Sequence, residues 1–342
     1  MGDILIKAGV VGVGIQGEQH VKAYKLHPNV NLVAVCDLNI NRAKAIAEKY
    51  GIGKVYRDYN KMFEKEDLNL VSIVTPDFLH RDPVVAAAEN HVNIIVEKPF
   101  ATTLSDANIM VKSVEKNGVK LYPNFSNRWN PPFSISKDII DRGELGEIVY
   151  GYIRLSDTIY VPTKMLSWAA KSNVAFFLMS HTADLMRWLF NDEVIEVNAF
   201  MEKKVLIKKG IDTPDYFIAV LNFSKGGRAL LESSWILSET FPSIVDFKME
   251  LIGEKAVINI DNTQQCINVS SQKNFYYPRY FTGYDINRRF TGFVKESIHH
   301  FIDCLLNDVE PFVNIYDGLE NTRILCSIIE SAFNRRPVRI ER

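Results

Sequence analysis

The chain has 342 residues, 47% hydrophobic and 24% charged, which is long enough for two domains with buried cores. Its 40 Lys and Arg nearly balance its 41 Asp and Glu, and this balance gives no general attraction for nucleic acid or an anionic membrane. No apolar run approaches the roughly 20 residues that span a bilayer, and we expect no signal peptide. The four cysteines lack metal-ligand spacing. These features predict a soluble cytoplasmic protein that binds a small molecule, with no metal site.

The first part of the chain alternates apolar strand patterns with helical patterns. The strand patterns are AGVVGVG, NLVAVCD, LVSIVTP, VNIIVEKP and VKLYPNF, in chain order. The helical pattern INRAKAIAEKY is followed by Gly51, where a C-terminal cap belongs. Near-continuous apolar strands separated by helices are typical of a parallel sheet covered on both faces. Residues 1–122 are therefore predicted to form a doubly wound α/β domain.

The pattern changes after RWNPPF at residues 128–133. Long alternating strands follow a helical pattern at 175–188, and the stretches SKGG and GEK are typical of hairpin turns. Two helical patterns, roughly 288–307 and 317–334, close the chain. Residues 123–342 are therefore predicted to form an α+β domain with a large, mostly antiparallel sheet.

A glycine-rich turn lies between the first strand and the first helix. Gly12, Gly14 and Gly17, with Ile15 and Gln16 between them, match the spacing G-x-G-x-x-G. The first glycine permits a tight turn, the second lets a pyrophosphate approach the backbone, and the third lets helix and strand pack closely. Free N–H groups at the helix start would face the phosphates. The turn therefore predicts a dinucleotide site.

Asp37 ends the second strand, about twenty residues after the last glycine, where a ribose-binding acid is expected. Its carboxylate would accept hydrogen bonds from the ribose hydroxyls and repel a 2′-phosphate. That preference favours NAD, although Arg42 nearby leaves NADP open. Alternatively, Asp37 is the N-cap of the helix that begins near Asn39, and the two roles are compatible.

The sequence VTPDFLH (74–80) follows a later strand, at the edge where doubly wound sheets bind ligands. Thr75, Pro76 and His80 are therefore candidate cofactor-binding residues. Thr75 and Pro76 could shape a nicotinamide pocket. An ordinary strand-to-helix turn explains the same residues equally well.

Glu97 and Lys98 end another parallel strand and are also candidates for the cofactor site. Pro99 keeps Lys98 out of helical geometry, at the edge of the sheet where the cofactor would lie. An ammonium there can stabilise an alkoxide as it develops during hydride removal. The alternative is a solvated surface lysine, and the residues alone do not separate the two.

The helical pattern AFFLMSHTADLMRW carries His181 and Asp184 three residues apart on nearly the same face. An imidazole that titrates near neutrality suits removal of a hydroxyl proton. Asp184 could orient the ring or bind a substrate hydroxyl. The alternative is a buried His–Asp pair that holds the helix in its core.

Together, these motifs resemble the Gfo/Idh/MocA family of nicotinamide-dependent oxidoreductases. The glycine turn, the acid after strand two, TP, EKP and the His-x-x-Asp helix occur in order, and the resemblance extends to the closing SAFNRRPVRI. It implies a Rossmann domain and a second α/β domain, whose large sheet pairs subunits into a homodimer or homotetramer. It also implies that Lys98 contacts substrate and nicotinamide, that the bond before Pro99 is cis, and that His181 and Asp184 are catalytic. The expected activity is hydride transfer between NAD and a secondary alcohol or ketone of a sugar, cyclitol or related polyol.

One position departs from the family pattern. Members commonly carry an Asp four residues before the histidine, where this chain has Phe177. Phe177 and Trp168 instead offer aromatic surface for the C–H face of a sugar, with core packing as the alternative. Asn124 and Arg128 are candidate polar contacts to the substrate, and Arg128 could equally be a surface or interdomain residue. The departure keeps two other functions open: a non-catalytic nucleotide-binding regulator, or a glycoside-cleaving enzyme that recycles NAD in place.

Overall fold

The computed structural model describes residues 5–287 and 289–341, so residues 1–4, 288 and 342 lie outside the description. In the first stretch of the chain the elements are β1 (Ile6–Val11), α1 (Ile15–Leu26), β2 (Val30–Cys36), α2 (Ile40–Tyr50), β3 (Lys54–Tyr56), α3 (Tyr59–Lys65), β4 (Leu70–Ile73), α4 (Arg81–Glu89), β5 (Asn93–Val96), α5 (Leu104–Asn117) and β6 (Leu121–Pro123). The remaining elements are α6 (Pro131–Asp141), β7 (Ile148–Asp157), α7 (Ser180–Phe190), β8 (Val194–Glu202), β9 (Tyr216–Phe223), β10 (Arg228–Ser234), β11 (Val245–Gly253), β12 (Val257–Asp261), β13 (Val269–Ser270), β14 (Phe275–Tyr276), β15 (Tyr284–Ile286), β16 (Arg289–Thr291), α8 (Phe293–Asn307), α9 (Ile315–Asn334) and β17 (Val338–Arg339). Within the described ranges, none of the helices is long and apolar enough to cross a bilayer.

Strands β1 to β6 form one parallel sheet in the order β3-β2-β1-β4-β5-β6. This is the strand order of a Rossmann fold, and it confirms the predicted doubly wound domain. All four residues of β4 are fully buried, as expected for a central strand covered on both faces. The order in which successive strands join the sheet reverses between β1 and β4. In such sheets, ligands bind beyond the carboxyl ends of the strands at this point of reversal.

The compact unit around this sheet contains more of the chain than residues 1–122. It comprises the described residues of Met1–Trp129 together with Gly283–Glu320. Helix α8 packs against α1, where the His299 ring donates a hydrogen bond to the carbonyl of Ala23 at 2.9 Å. Phe301 of α8 stacks on Tyr122 of β6, with ring centroids 5.1 Å apart. The division made from sequence assigned residues 283–320 to the second domain, and these long-range contacts place them in the first unit instead.

The second unit comprises Asn130–Thr282 and the described residues of Asn321–Arg342. Seven of its described strands form one sheet in the order β12-β11-β7-β10-β9-β8-β17, in which only β7 and β10 pair in parallel. This confirms the predicted mostly antiparallel sheet, and hairpins form at SKGG and GEK as expected. One face is buried in the core, including Ile153, Leu221 and Leu231. The opposite face carries exposed Tyr150, Phe200 and Leu230.

Candidate active site

Two glycines of the predicted dinucleotide turn are required by the fold itself. Gly12 has φ +88°, and a Cβ there would lie 2.5 Å from the carbonyl oxygen of Val74. A Cβ on Gly17 would lie 2.0 Å from the carbonyl oxygen of Gly12. Both distances are far inside van der Waals contact. The turn can therefore adopt this shape only with glycine at both positions.

The middle glycine is different, because nothing in the fold excludes a side chain there. Gly14 is the N-cap of α1 with φ −71°, and a Cβ at this position would meet no atom within 4 Å. No side chain caps the helix, and the next residue, Ile15, is 68% exposed although it is apolar. The helix start thus offers open space, backbone N–H groups and apolar surface. These features fit the pyrophosphate of a dinucleotide.

Asp37 is buried after β2 and supports the glycine turn. One carboxylate oxygen, Oδ2, accepts a hydrogen bond from the backbone N–H of Val13 at 3.0 Å, and Oδ1 accepts from that of Asn39 at 2.8 Å. Arg42 lies 3.4 Å from Oδ2. The N-cap of α2 is Asn39, whose side chain accepts from the N–H of Arg42. The alternative that Asp37 caps this helix is therefore wrong. Oδ2 accepts from both Val13 and Arg42, whereas Oδ1 has a further lone pair with which to accept from a ribose hydroxyl.

Thr75 and Pro76 lie, partly exposed, after β4, next to the glycine turn in the sheet. His80 is buried, and its ring bridges two strand ends. Its Nε2 faces the carbonyl oxygen of Thr75 at 3.0 Å and its Nδ1 that of Pro99 at 2.9 Å. Both ring nitrogens thus face backbone carbonyls. This geometry favours a positioning role for His80 over the predicted direct contact with the cofactor.

The EKP motif follows β5, and the Lys98–Pro99 peptide bond is cis, as the family resemblance implied. Lys98 is partly exposed, whereas Glu97 is buried. Burial alone would raise the pKa of Glu97. Hydrogen bonds from His20 and from the amide of Asn124, together with the charge of Lys98, hold that pKa below its usual value. Lys98 therefore has an ionised carboxylate as its neighbour.

The predicted polar substrate contacts are both buried within the first unit. Asn124 donates to Glu97 Oε1 at 2.6 Å and accepts from the hydroxyl of Ser297 at 2.7 Å. Arg128 forms an ion pair with Asp317 at 3.3 Å, and the Arg128 side chain is 4% exposed. Its guanidinium also lies over the ring of Phe312. Both side chains therefore have partners inside the fold, and a contact of either one with a substrate stays a prediction.

In the second unit, His181 lies in the first turn of α7 and is partly exposed. Asp184 follows one turn later and is only 2% exposed. The turn before α7, Ala175–Met179, is π-helical, and such turns occur frequently at functional sites. The predicted helix therefore forms, with its first turn widened where it leads to the candidate histidine.

Phe177, which replaces the acid common in the family, belongs to an aromatic cluster. Its ring centroid lies 6.1 Å from that of Trp168 and 6.2 Å from that of Trp235. Trp235 is fully buried, whereas Phe177 and Trp168 are partly exposed. The cluster thus combines core packing with aromatic surface, so the two interpretations from sequence are compatible.

Sequence reasoning missed His20, Ser72 and Leu38. His20 and Ser72 are buried and hydrogen-bonded to each other, and His20 is also bonded to Glu97. Helix and strand patterns gave no signal for them, because their partners are distant in the chain. Leu38 is 75% exposed directly after Asp37. A large apolar residue in a short polar turn was the available signal.

The glycine turn, Asp37 and Lys98 follow β1, β2 and β5 at one edge of a Rossmann sheet, which is the arrangement of nicotinamide-dependent oxidoreductases. The chain belongs to the Gfo/Idh/MocA family. Residues 6–125 match the model of the oxidoreductase family's NAD-binding Rossmann fold, and residues 137–340 match that of its C-terminal alpha/beta domain. The protein is therefore an NAD-dependent oxidoreductase, and the family prediction is confirmed.

Relatives align with nearly the whole chain. The chain is 27% identical to scyllo-inositol 2-dehydrogenase (NAD(+)) of Bacillus subtilis, and the alignment covers 98% of this chain and 96% of the relative. The myo-inositol 2-dehydrogenase structure from Lactobacillus plantarum superposes with a TM-score of 0.88 at 20% identity, covering 98% of this chain and all of the other. The structure of scyllo-inositol dehydrogenase from Lactobacillus casei, with bound NAD(H) and scyllo-inositol, superposes with a TM-score of 0.85 at 19% identity. The match covers 98% of this chain and 99% of the other. These structural matches establish the shared fold.

Proposed function

We propose that the protein transfers a hydride between NAD and a secondary alcohol or ketone of a polyol, such as a cyclitol or a sugar. The observation that carries the proposal is the edge of the parallel sheet. Lys98 follows β5, two strands from the glycine turn after β1, which corresponds to about 10 Å at ordinary strand spacing. A cationic donor at that distance along the cofactor cleft suits an oxygen that becomes negative. The inositol dehydrogenases named above support the substrate class.

Each candidate residue has a distinct task in this proposal. Bound NAD supplies the hydride acceptor. The Lys98 ammonium donates a hydrogen bond to the substrate oxygen and stabilises its negative charge. His181 takes the hydroxyl proton on a ring nitrogen during oxidation and returns it during reduction, and Asp184 supports the His181 ring. Because Phe177 stands where relatives commonly have an acid, His181 moves this proton without a carboxylate at that position.

The remaining candidates bind rather than react. The N–H groups at the start of α1, including those of Ile15 and Gln16, bind the pyrophosphate, and Asp37 binds the adenosine ribose. Ile15 and Leu38 provide apolar surface for the adenine ring, while Thr75 and Pro76 line the nicotinamide side. Phe177 and Trp168 pack against the C–H face of the substrate.

The test is a screen of cyclitols and sugars with NAD, followed by absorbance of NADH, for the natural protein and Lys98→Met. The substitution keeps the length of the side chain and removes its charge. Loss of a transition-state donor should lower kcat by about 100-fold or more. Lys61→Met, on the exposed side of α3, is the matched control and should leave kcat unchanged. Equal turnover by Lys98→Met and Lys61→Met would remove Lys98 from the mechanism. Release of an aglycone without net NADH would instead indicate the glycoside-cleaving alternative.

We also propose that the exposed face of the second unit's sheet pairs with a second copy of the chain. Cross-strand neighbours on this face include Tyr152, Leu230 and Val220, and the row beside them includes Ile218 and Phe200. Phe200 is 55% exposed and Leu230 is 36% exposed. Exposed apolar side chains grouped on one face of a sheet suit a protein interface. The sheet pairing implied by the family resemblance agrees with it.

Light scattering after size-exclusion chromatography measures the subunit number. Leu230→Lys should shift the protein toward monomer, because the lysine places a charge in the middle of the proposed interface between the two copies. Ile135→Lys is the matched control, since Ile135 is also exposed in this unit but lies on α6. A natural protein that is monomeric at assay concentrations would contradict the pairing.

A further inference from the structure

Seven buried polar side chains in the first unit form one continuous chain of hydrogen bonds. Every member is at most 6% exposed. In order of contact, the members are Tyr24, Ser72, His20, Glu97, Asn124, Ser297 and Tyr122, with successive separations of 2.5, 2.9, 2.9, 2.6, 2.7 and 2.7 Å. They come from α1, β4, α8 and the ends of β5 and β6. We call this set the Glu97 network, because Glu97 is its only carboxylate.

On one side of Glu97, the direction of every hydrogen bond is fixed by chemistry. The amide nitrogen of Asn124 donates to Glu97 Oε1, so the amide oxygen of Asn124 faces Ser297. Because an amide oxygen can only accept, the Ser297 hydroxyl donates its single proton to Asn124. The hydroxyl of Tyr122 must then donate to Ser297. All three donors in this arm point toward the carboxylate.

The other arm converges on the same carboxylate. With Glu97 ionised, His20 donates to it through Nε2. A ring that carries one proton then accepts at Nδ1 from the hydroxyl of Ser72. Ser72 accepts in turn from Tyr24. Glu97 is thus the common acceptor of two arms whose outer ends are fully buried tyrosines.

This geometry separates a positioning role from proton transport. A proton relay needs an end that reaches solvent or substrate, and both tyrosine ends have no exposed surface. The carboxylate, in contrast, lies directly before Lys98 in the chain, and its Oε2 also accepts from the Lys98 backbone N–H at 3.3 Å. Cooperative donor chains polarise one another, so a distant hydroxyl can influence the charge at Glu97.

We propose that the Glu97 network positions Lys98, and that Ser297 and Tyr122 are therefore positioning residues for the reaction. The significance of Lys98 rests on the proposed function above. Ser297 lies in α8, far along the chain from the Rossmann motifs, yet it is two hydrogen bonds from the carboxylate beside the lysine. The segment 283–320 thus contributes to the cofactor side of the enzyme as well as to its packing.

The test compares Ser297→Ala and Tyr122→Phe with Ser136→Ala. Ser136 is also buried, but its hydroxyl donates to the carbonyl of Pro132 within α6 of the other unit. The first readout requires no substrate: the rate at which acetic anhydride labels the Lys98 amine, followed by mass spectrometry across pH, with exposed Lys61 as the internal reference. Loss of a donor that points toward Glu97 leaves the carboxylate charge less shielded, which favours the ammonium form of Lys98. Labelling at a given pH should therefore fall about threefold, which corresponds to half a pH unit in the profile.

The second readout is kinetic. Both network variants should lower kcat with a polyol while the Kd for NAD stays within about twofold, because the pyrophosphate and ribose contacts lie elsewhere. Ser136→Ala should change neither the labelling nor kcat. Network variants that label and turn over like Ser136→Ala would overturn the proposal, even if they melt at a lower temperature. Tyr122→Phe keeps the ring stacked on Phe301, so one variant folds if Ser297→Ala does not. Absence of polyol turnover in the natural protein would contradict the proposed function alone, since the labelling experiment still decides the network.

Discussion

The substitution Gly14→Ala separates what the fold requires from what the cofactor requires. In the structure, the added methyl group meets no protein atom within 4 Å, and the backbone has φ −71°. Because Gly is preferred over Ala at an N-cap, the free energy of unfolding should fall by about 1 kcal/mol. The methyl group would instead occupy the space where the pyrophosphate approaches the backbone.

Loss of a single charge-assisted hydrogen bond to the pyrophosphate costs about 1.5–3 kcal/mol. The Kd for NAD should therefore rise roughly 10- to 100-fold. Titration calorimetry measures this Kd, and thermal unfolding without NAD measures stability. Gly53→Ala is the matched control, because its methyl group also meets nothing within 4 Å and it lies outside the turn. Gly17→Ala provides the opposite case, because its Cβ would lie 2.0 Å from a carbonyl oxygen. This substitution should destabilise the folded state severely. If Gly14→Ala binds NAD as Gly53→Ala does, the open space is not the pyrophosphate site.

Three further outcomes follow from the first unit. Asp37→Ser should shift the ratio of the Kd values for NAD and NADP toward NADP, because the carboxylate no longer repels a 2′-phosphate; an unchanged ratio would contradict that role. The folded pKa of Glu97 lies below its usual 4.5, so its ionised form adds stability that is complete above that pH and is lost as pH falls through the folded value. Urea unfolding across acidic pH should therefore show a flatter pH dependence for Glu97→Gln than for the natural protein, and parallel curves would refute it. Arg128→Ala should lower the unfolding free energy by about 3 kcal/mol, because Asp317 loses its buried partner; a double-mutant cycle with Asp317→Asn that shows no coupling would contradict this internal role and favour substrate binding by Arg128.

The parts of the fold that were predicted from sequence depend on local patterns. Strand–turn–helix spacing predicted the glycine turn, and apolar runs predicted the parallel sheet, because both are determined by residues close together in the chain. The packing of α8 on α1 could not be predicted in this way. Its contacts, such as His299 with Ala23, join residues that carry no shared periodicity.

The candidate site shows the same limit at the level of side chains. Asn124 and Arg128 follow β6 and were predicted to contact substrate. A polar residue after a strand gives the same pattern whether it faces a ligand or another buried group. Only the positions of Ser297 and Asp317, more than a hundred residues later, show that the partners are internal. Gly14 is the converse case, since its empty surroundings in the structure strengthen what the motif predicted.

The late return of residues 283–320 to the first unit has a consequence for biosynthesis. A ribosome makes the glycine turn, Asp37 and Lys98 first, and Ser297 and Phe301 follow about 200 residues after Lys98. Until then, the nascent nucleotide domain lacks the helix that covers α1 and Tyr122. Its apolar surface stays open to chaperones and to misassembly while the second unit is being synthesised between the two halves. The Glu97 network therefore stays incomplete until Ser297 has left the exit tunnel.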